Sequence, residues 1–197
     1  MKKLLKLGAE AKLIRKDGRV VKKRIKKGYR LSQIDLKLRK ERTRSESSLL
    51  RKAIRAKVNV PRIFKVDKEK AVIEMEFISG KRIDSVLSEK LSRQLGREIA
   101  ELHSAGIIHG DLTTSNILVK ENKIYFIDFG LGEFSKSVEK RAVDLRVLKE
   151  AVRANHPEKA DKFNEGILKS YEENMKDGAE ILKRLEKVES RGRYKKK

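Results

Sequence analysis

The sequence contains no cysteine and only two prolines among its 197 residues. The absence of cysteine excludes disulfide bonds and thiolate zinc sites, and it is consistent with a reducing compartment. Aromatic residues make up only 5%, and no apolar run approaches the roughly 18 residues of a membrane span. Lys6 and Glu10 interrupt the apolar start of the chain, so no signal peptide is indicated. We therefore expect a cytoplasmic protein without a membrane segment.

Positive charge is abundant and unevenly placed along the chain. The formal net charge is +22, with 41% charged residues against 38% hydrophobic ones. Residues 1–60 contain 22 Lys and Arg against 5 Asp and Glu, residues 61–182 contain 21 against 22, and residues 183–197 contain 8 against 2. Basic ends of this kind suit a polyanionic partner, usually a nucleic acid. A lysine-rich solvated surface is the alternative, but acidic residues do not match the basic ones at either end.

Residues 107–130 are the most informative stretch. Two short, apolar, β-prone segments joined by the polar turn 120–123 predict a β-hairpin. This hairpin would hold Asn116 and Asp128 side by side, and two such oxygen ligands suit a magnesium ion bound to nucleotide phosphates. Asp111, in the preceding loop, could accept a proton from an attacking hydroxyl group or orient a water molecule.

The order Asp111, Asn116 and then Asp128-Phe129-Gly130 is the arrangement that kinases use for phosphoryl transfer. Turn capping is the alternative role for these polar residues, but turn chemistry does not require all of them at these spacings. We therefore predict Asp111 and Asn116, together with Lys22 of the N-terminal segment, as catalytic residues, and Asn116 and Asp128 as metal ligands. The sequence thus predicts an enzyme that uses ATP and magnesium.

The N-terminal segment predicts a nucleotide-covering hairpin. Two β-prone stretches flank a turn signal at Asp17-Gly18, and the first is broken at Gly8, Ala9, Glu10 and Ala11. The G-x-G-x-x-G signature of kinases is missing, so one glycine offers backbone contact with phosphate. Lys22, which follows two valines, is the candidate for the lysine that reaches the α and β phosphates. Strand alternation alone does not show which of the neighbouring basic residues, Lys22 included, would bind the phosphates.

Two further groups complete the predicted nucleotide site. Glu46 lies in a basic, amphipathic helical stretch, where kinases place the glutamate that holds the strand lysine. A local pair with Arg42, worth about 0.2–0.5 kcal/mol, is the alternative for Glu46. Glu76 and Ile78 lie on an extended connection after two further predicted strands, where their backbone groups would be available to adenine.

Longer motifs resemble one kinase family over the whole chain. They are K-G-Y-R at 27–30, H-G-D-L-T-T-S-N at 109–116, D-F-G-L at 128–131 and R-G-R at 191–193. Together they resemble the small atypical kinases of the KEOPS complex, the Bud-type or piD family. The resemblance implies ATP and magnesium binding, serine/threonine autophosphorylation, and ATP hydrolysis that supports threonylcarbamoyladenosine formation on transfer RNA. It also implies three partners: the threonylcarbamoyl-transferase subunit, a small subunit docked on the N-lobe, and transfer RNA.

The expected fold is α+β and bilobal, like a protein kinase, with a reduced N-lobe sheet, one or two N-lobe helices and a truncated helical C-lobe. We place the N-lobe at 1–77, the C-lobe at 78–190 and a basic tail at 191–197. Only about ten residues separate Gly130 from the next helical pattern, so there is no room for an activation segment. Gly110 occupies the position of the arginine in H-R-D kinases. That arginine usually binds a phosphate group on the activation segment.

Two other functions fit parts of the sequence. A RIO-like or small-molecule kinase would also lack the activation segment, although the Asp-Phe-Gly turn departs from RIO-type chains. A non-catalytic RNA-binding scaffold with a kinase-like core would explain the basic ends, but it would not explain the complete set of lysine, two aspartates and asparagine.

Overall fold

A five-stranded antiparallel sheet forms the N-terminal part of the protein. The computed structural model describes residues 2–8 and 10–193. The strand order is β1-β2-β3-β5-β4, and the strands are β1 (Lys2–Leu7), β2 (Ala11–Lys16), β3 (Arg19–Arg24), β4 (Ile63–Asp67) and β5 (Val72–Glu76). Asp17 and Gly18 both have positive φ and join β2 to β3, as in the tight turns that favour hairpins.

One long helix, α1 (Ser32–Arg55), is inserted between β3 and β4 and packs on β4 and β5. Its buried residues recur at helical spacing, as expected of an amphipathic helix. The last two turns of that face are apolar, with Leu49, Leu50 and Ala53 buried, whereas the preceding part buries Thr43 and Glu46. A carboxylate is therefore held inside the protein, on the side of the helix that faces the sheet.

The C-terminal part is helical. It contains α2 (Glu89–Ser104), α3 (Val138–Asn155), α4 (Ala160–Asn174) and α5 (Gly178–Arg193). Helices α2 and α4 cross closely, because Gly96 leaves no side chain at the contact; a Cβ there would lie 2.1 Å from the carbonyl oxygen of Ile167. Apolar residues from these helices and from the end of α1 share one core with Phe126 and Phe129.

Short strands connect the two parts and frame the central loop. They are β6 (Lys81–Arg82), β7 (Ile107–Ile108), β8 (Ile117–Lys120), β9 (Lys123–Phe126) and β10 (Glu133–Phe134). Strands β8 and β9 form the predicted hairpin, closed by Glu121 and Asn122 with positive φ. Strand β10 pairs with β7 directly after residues 128–130, and α3 follows at Val138. Residues 2–8 and 10–193 therefore contain no activation segment, and the predicted fold class is confirmed.

The last helix extends into the segment that the sequence analysis placed in a basic tail. Helix α5 continues through Arg193, so the first three residues of the predicted 191–197 tail form the last turn of a helix. Arg191 lies 3.7 Å from the carboxylate of Glu139 on α3, and Arg184 also bonds Glu139. Residues 194–197 lie outside the described part of the chain. Among the residues that the structure describes, no helix has the length and apolar character needed to span a bilayer.

Candidate active site

The loop that carries Asp111 is anchored to α3 from one side. Asp144, on α3, accepts hydrogen bonds from the backbone N–H groups of His109 (2.6 Å) and Gly110 (2.9 Å). His103 on α2 lies 3.4 Å from the same carboxylate and 2.9 Å from the hydroxyl group of Tyr171. The loop conformation therefore depends on a buried polar network and not on the loop sequence alone.

His109 joins the loop to the hairpin as a neutral scaffold. Its Nε2 lies 3.0 Å from the carbonyl oxygen of Ile127, and its Nδ1 lies 3.3 Å from the backbone N–H of Asp111. Nε2 therefore donates while Nδ1 accepts, which is the neutral tautomer. The ring packs against Phe129 at 4.6 Å between centroids. Burial lowers the pKa of His109 despite the nearby carboxylates, so the side chain stays uncharged near neutral pH.

Replacing Gly110 with alanine is expected to lower both stability and ATP turnover. Gly110 has a φ of +79°, and a Cβ there would lie 2.2 Å from the carbonyl oxygen of Leu131. Strain of this kind costs about 1–3 kcal/mol, and displacing Leu131 would disturb the Asp-Phe-Gly turn. Thermal unfolding and ATP turnover measure the two effects. Gly28→Ala is the control, because a Cβ at Gly28 would have no described atom within 4 Å. Equal melting temperatures for the two variants would contradict the prediction.

Asp111, Asn116 and Asp128 are brought together by the loop and the hairpin. The Nδ2 of Asn116 donates to the Oδ2 of Asp111 at 2.8 Å and to its carbonyl oxygen at 2.9 Å. The carbonyl oxygen of Asn116 accepts from the N–H of Ile127 at 2.9 Å, which holds the two ends of the hairpin next to each other. Asp128 has a φ of +63°, and its half-exposed carboxylate lines one cavity together with Asp111, whereas Asn116 is not part of that lining.

A buried ionic cluster connects this loop to the N-terminal sheet. The Nζ of Lys22 lies 2.5 Å from Glu46 and 2.7 Å from Asp128. The second oxygen of Glu46 accepts from Arg24 at 2.6 Å. Burial raises the pKa of Asp128, but the charge and hydrogen bond of Lys22 outweigh burial, so the pKa lies below its usual value. Lys22 and Glu46 are therefore in contact, as the sequence predicted, and Asp128 is ionised at neutral pH.

A cavity of about 280 Å³ lies between the N-terminal sheet and the loop that carries Asp111. Its lining includes Gly8, Glu10 and Ala11 from the turn between β1 and β2, together with Lys22, Asp111 and Asp128. Ala9, the fourth predicted residue of that turn, lies outside the described residues. The turn is closed by a hydrogen bond from the N–H of Gly8 to the carbonyl oxygen of Ala11 at 3.0 Å.

Glu76 and Ile78 lie at the far end of the sheet from this turn, and neither lines the 280 Å³ cavity. The backbone N–H of Glu76 donates to the carbonyl oxygen of Arg62 at 2.8 Å, and Ile78 is buried. Glu76 is the register partner of Arg19, the first residue of β3. The contact of Glu76 and Ile78 with adenine stays a prediction.

Two arginines of the site were not predicted. Only 4% of the surface of Arg24 is exposed, and Arg24 shares the carboxylate of Glu46 with Lys22. Arg42 does not pair with Glu46; it lies 2.5 Å from the carboxylate of Glu10 in the turn above the cavity. The alternation of Lys22 and Arg24 on one face of the strand was the available signal for Arg24.

The arrangement fits magnesium and a polyphosphate. The carboxylate of Asp128 is accessible from the cavity, and the amide group of Asn116 donates through Nδ2 to Asp111, which leaves its Oδ1 as an acceptor. Oxygen ligands are the ones that magnesium prefers, with phosphates and water completing the shell. Within residues 2–8 and 10–193, no three His, Cys, Asp or Glu side chains form a metal-binding cluster, so an all-protein metal cage is not built here.

Comparison with known proteins identifies the family. A family model described as the RIO domain matches residues 11–139. The chain belongs to the RIO-type atypical kinases. It is 44% identical to the KEOPS complex subunit Bud32 of Pyrococcus abyssi, over 98% of this chain and 96% of that protein. It is also 38% identical to a probable serine/threonine-protein kinase BUD32 homolog of Archaeoglobus fulgidus, over 95% and 94% of the two chains. This RIO-type chain is thus an ATP-dependent phosphotransferase.

Other relatives are longer than this kinase. It is 40% identical to a probable bifunctional tRNA threonylcarbamoyladenosine biosynthesis protein of Methanobrevibacter smithii, and the match covers 97% of this chain but 36% of that protein. Among solved structures, the Rio2 kinase of Chaetomium thermophilum superposes with a TM-score of 0.66 at 15% identity, covering 95% of this chain and 70% of Rio2. The aminoglycoside phosphotransferase APH(2'')-Ib gives 0.62 at 14% identity, covering 94% and 81%. These structural matches support the kinase-like fold.

These comparisons support both the RIO-like and the Bud-type assignments. The RIO family model extends through the Asp-Phe-Gly turn at 128–130, so that turn does not place the chain outside the RIO family. The relatives named Bud32 match along almost the whole chain.

Proposed function

We propose that this kinase uses MgATP, transfers phosphate to serine or threonine and to water, and supports threonylcarbamoyladenosine formation on transfer RNA. The observation that carries the proposal is the convergence of Lys22, Asp111 and Asp128 on one cavity. The names of the relatives from Pyrococcus abyssi and Methanobrevibacter smithii supply the biological context. A cytoplasmic location is part of the proposal.

The polar side chains of the site divide the proposed reaction between them. The ammonium group of Lys22, held by Glu46, binds the α and β phosphates. The carboxylate of Asp111, fixed by Asn116, receives the proton of the attacking serine, threonine or water. Asp128 and Asn116 would hold magnesium, which when bound neutralises charge on the phosphates.

The absence of an activation segment favours a close acceptor. Strand β10 returns to β7 immediately after the Asp-Phe-Gly turn and α3 follows at Val138, so the described residues that follow Gly130 leave no room for a peptide platform between them. Serine or threonine residues of the chain itself, or of a bound partner, and water are therefore favoured over free protein substrates.

The charge distribution supports transfer RNA as a partner. The exposed face of α1 carries Lys37, Arg44, Arg51 and Arg55 at helical spacing. No carboxylate lies within ion-pair distance of these four side chains among the described residues. Unpaired cations on one helix face suit the phosphates of a nucleic acid. The threonylcarbamoyl-transferase subunit and a small subunit on the N-lobe complete the proposed complex.

ATP labelled on its γ phosphate tests the proposal. We expect the purified chain to release labelled phosphate slowly, to label its own serine or threonine residues, and to turn over faster when the transferase subunit and transfer RNA are both added. Transfer RNA without the transferase subunit is the matched control. Label found only on sugars or aminoglycosides would favour a small-molecule kinase, and no transfer to any acceptor would favour the scaffold alternative.

A further inference from the structure

Arg24 is placed as a second cation of the nucleotide site, beside Lys22. The two residues alternate on β3 and point to the same face, and both line the cavity that contains Asp111 and Asp128. Arg24 is 4% exposed and Lys22 is 5% exposed. The backbone N–H of Arg24 donates to the carbonyl oxygen of Ala71 at 3.0 Å, which fixes the end of the strand.

The guanidinium group of Arg24 has unused hydrogen-bonding capacity. One terminal nitrogen donates to Glu46 at 2.6 Å, whereas Nε is buried and has no hydrogen-bond partner among the described residues. A buried donor without a partner is costly, and in native structures it calls for a functional explanation. A cation with spare donors that lines a cavity is suited to an anionic ligand.

The charges around Arg24 lead to the same conclusion. Glu46 meets two cations, Lys22 and Arg24, with one negative charge. Asp128 restores the balance through Lys22, but Asp128 is itself the proposed magnesium ligand. Arg42, the third cation that lines the cavity, is already paired with Glu10 at 2.5 Å. Arg24 therefore has only Glu46, which it shares with Lys22, as a partner among the described carboxylates.

The register of β3 determines which part of the nucleotide Arg24 would reach. Arg19, at the start of the strand, is opposite Glu76 and the connection where adenine is proposed to bind. Arg24, at its end, is opposite Ala11 and the turn that closes the cavity. Lys22 lies between them, and Arg24 is two residues further on, about 7 Å at the usual strand rise. Arg24 thus lies on the side of Lys22 away from adenine.

We propose that Arg24 binds the terminal phosphates of ATP and replaces the backbone donors that a glycine-rich loop would supply. The inference rests on the proposed use of ATP at this site. The turn above the cavity offers Gly8 as its one glycine, and the N–H of Gly8 is already bonded to Ala11. An arginine side chain presents several donors in a fixed fork, which matches phosphate oxygens.

Nucleotide binding by Arg24→Met tests this proposal. The probes are the β,γ-imido analogue of ATP with magnesium, and AMP. We expect Arg24→Met to bind the triphosphate at least about tenfold more weakly, as for the loss of a hydrogen bond to a charged group, and to bind AMP within about twofold of the parent. Lys23→Met, on the opposite and exposed face of the same strand, should leave both affinities unchanged.

The outcomes separate this inference from the proposed function. If the parent protein binds no triphosphate, the proposed function itself fails. If the parent binds it and Arg24→Met binds it equally well, the role of Arg24 alone is refuted. Equal losses for AMP and the triphosphate would refute it too, because they would show that Arg24 only supports the fold. Should Arg24→Met not fold, Arg24→Lys keeps the charge but loses the fork, and a triphosphate affinity equal to that of the parent would then decide against the proposal.

Discussion

Asp128→Asn lowers ATP turnover by about two to three orders of magnitude, the usual cost of removing one electrostatic group from an active site. The substitution keeps the size of the side chain but removes its negative charge. Asp128 is one of the two proposed oxygen ligands of magnesium, and it also contacts Lys22 at 2.7 Å. The substitution therefore affects both the proposed metal site and the lysine proposed to position the phosphates. Steady-state phosphate release at saturating magnesium measures the loss.

Asp161→Asn is the matched control for Asp128→Asn. Asp161 is an almost fully exposed aspartate on α4, 3.6 Å from Arg153, and the same change there should leave turnover within about twofold. The pKa of Asp128 lies below its usual value because Lys22 outweighs the effect of burial. Its stabilising contribution is therefore complete above the ordinary value of 3.8 and is lost only as the pH falls below it. Parental turnover by Asp128→Asn would show that the metal lies elsewhere.

The centre of the site could be predicted because its residues are close in sequence. Asp111, Asn116 and Asp128 lie on one loop and one hairpin, so their spacing and the turn between two β-prone segments suffice to bring them together. The missing activation segment could be predicted for the same reason, from the few residues between Gly130 and α3.

Contacts between distant segments were harder to predict. Neither face of β3 is apolar, so periodicity could not show that the face with Lys22 and Arg24 is the buried one. Arg42 is one helical turn from Glu46 yet bonds Glu10, which is 32 residues away in sequence. The end of α5 lies beside a distant segment of the chain, where Glu139 pairs with arginines of that helix as far along as Arg191.

Glu46→Gln is expected to destabilise the protein by about 3–5 kcal/mol, the usual cost of removing one partner from a buried ion pair. Lys22 would keep Asp128, but Arg24 would remain 4% exposed with no carboxylate beside it. In a protein of this size, 1 kcal/mol lowers the melting temperature by about 2–4 °C, so we expect a decrease of roughly 6–20 °C. Thermal or urea unfolding of the purified chain measures it.

Two further variants show whether the unpaired charge is the cause. Glu41→Gln removes an exposed glutamate from the same helix and should change stability by less than about 0.5 kcal/mol. Adding Arg24→Met to Glu46→Gln removes the orphaned cation and should recover part of the lost stability, since an apolar replacement of a whole buried pair is often well tolerated. If the two substitutions lower the free energy of unfolding additively, Glu46 and Arg24 stabilise the fold independently. The buried ionic cluster would then not act as one unit.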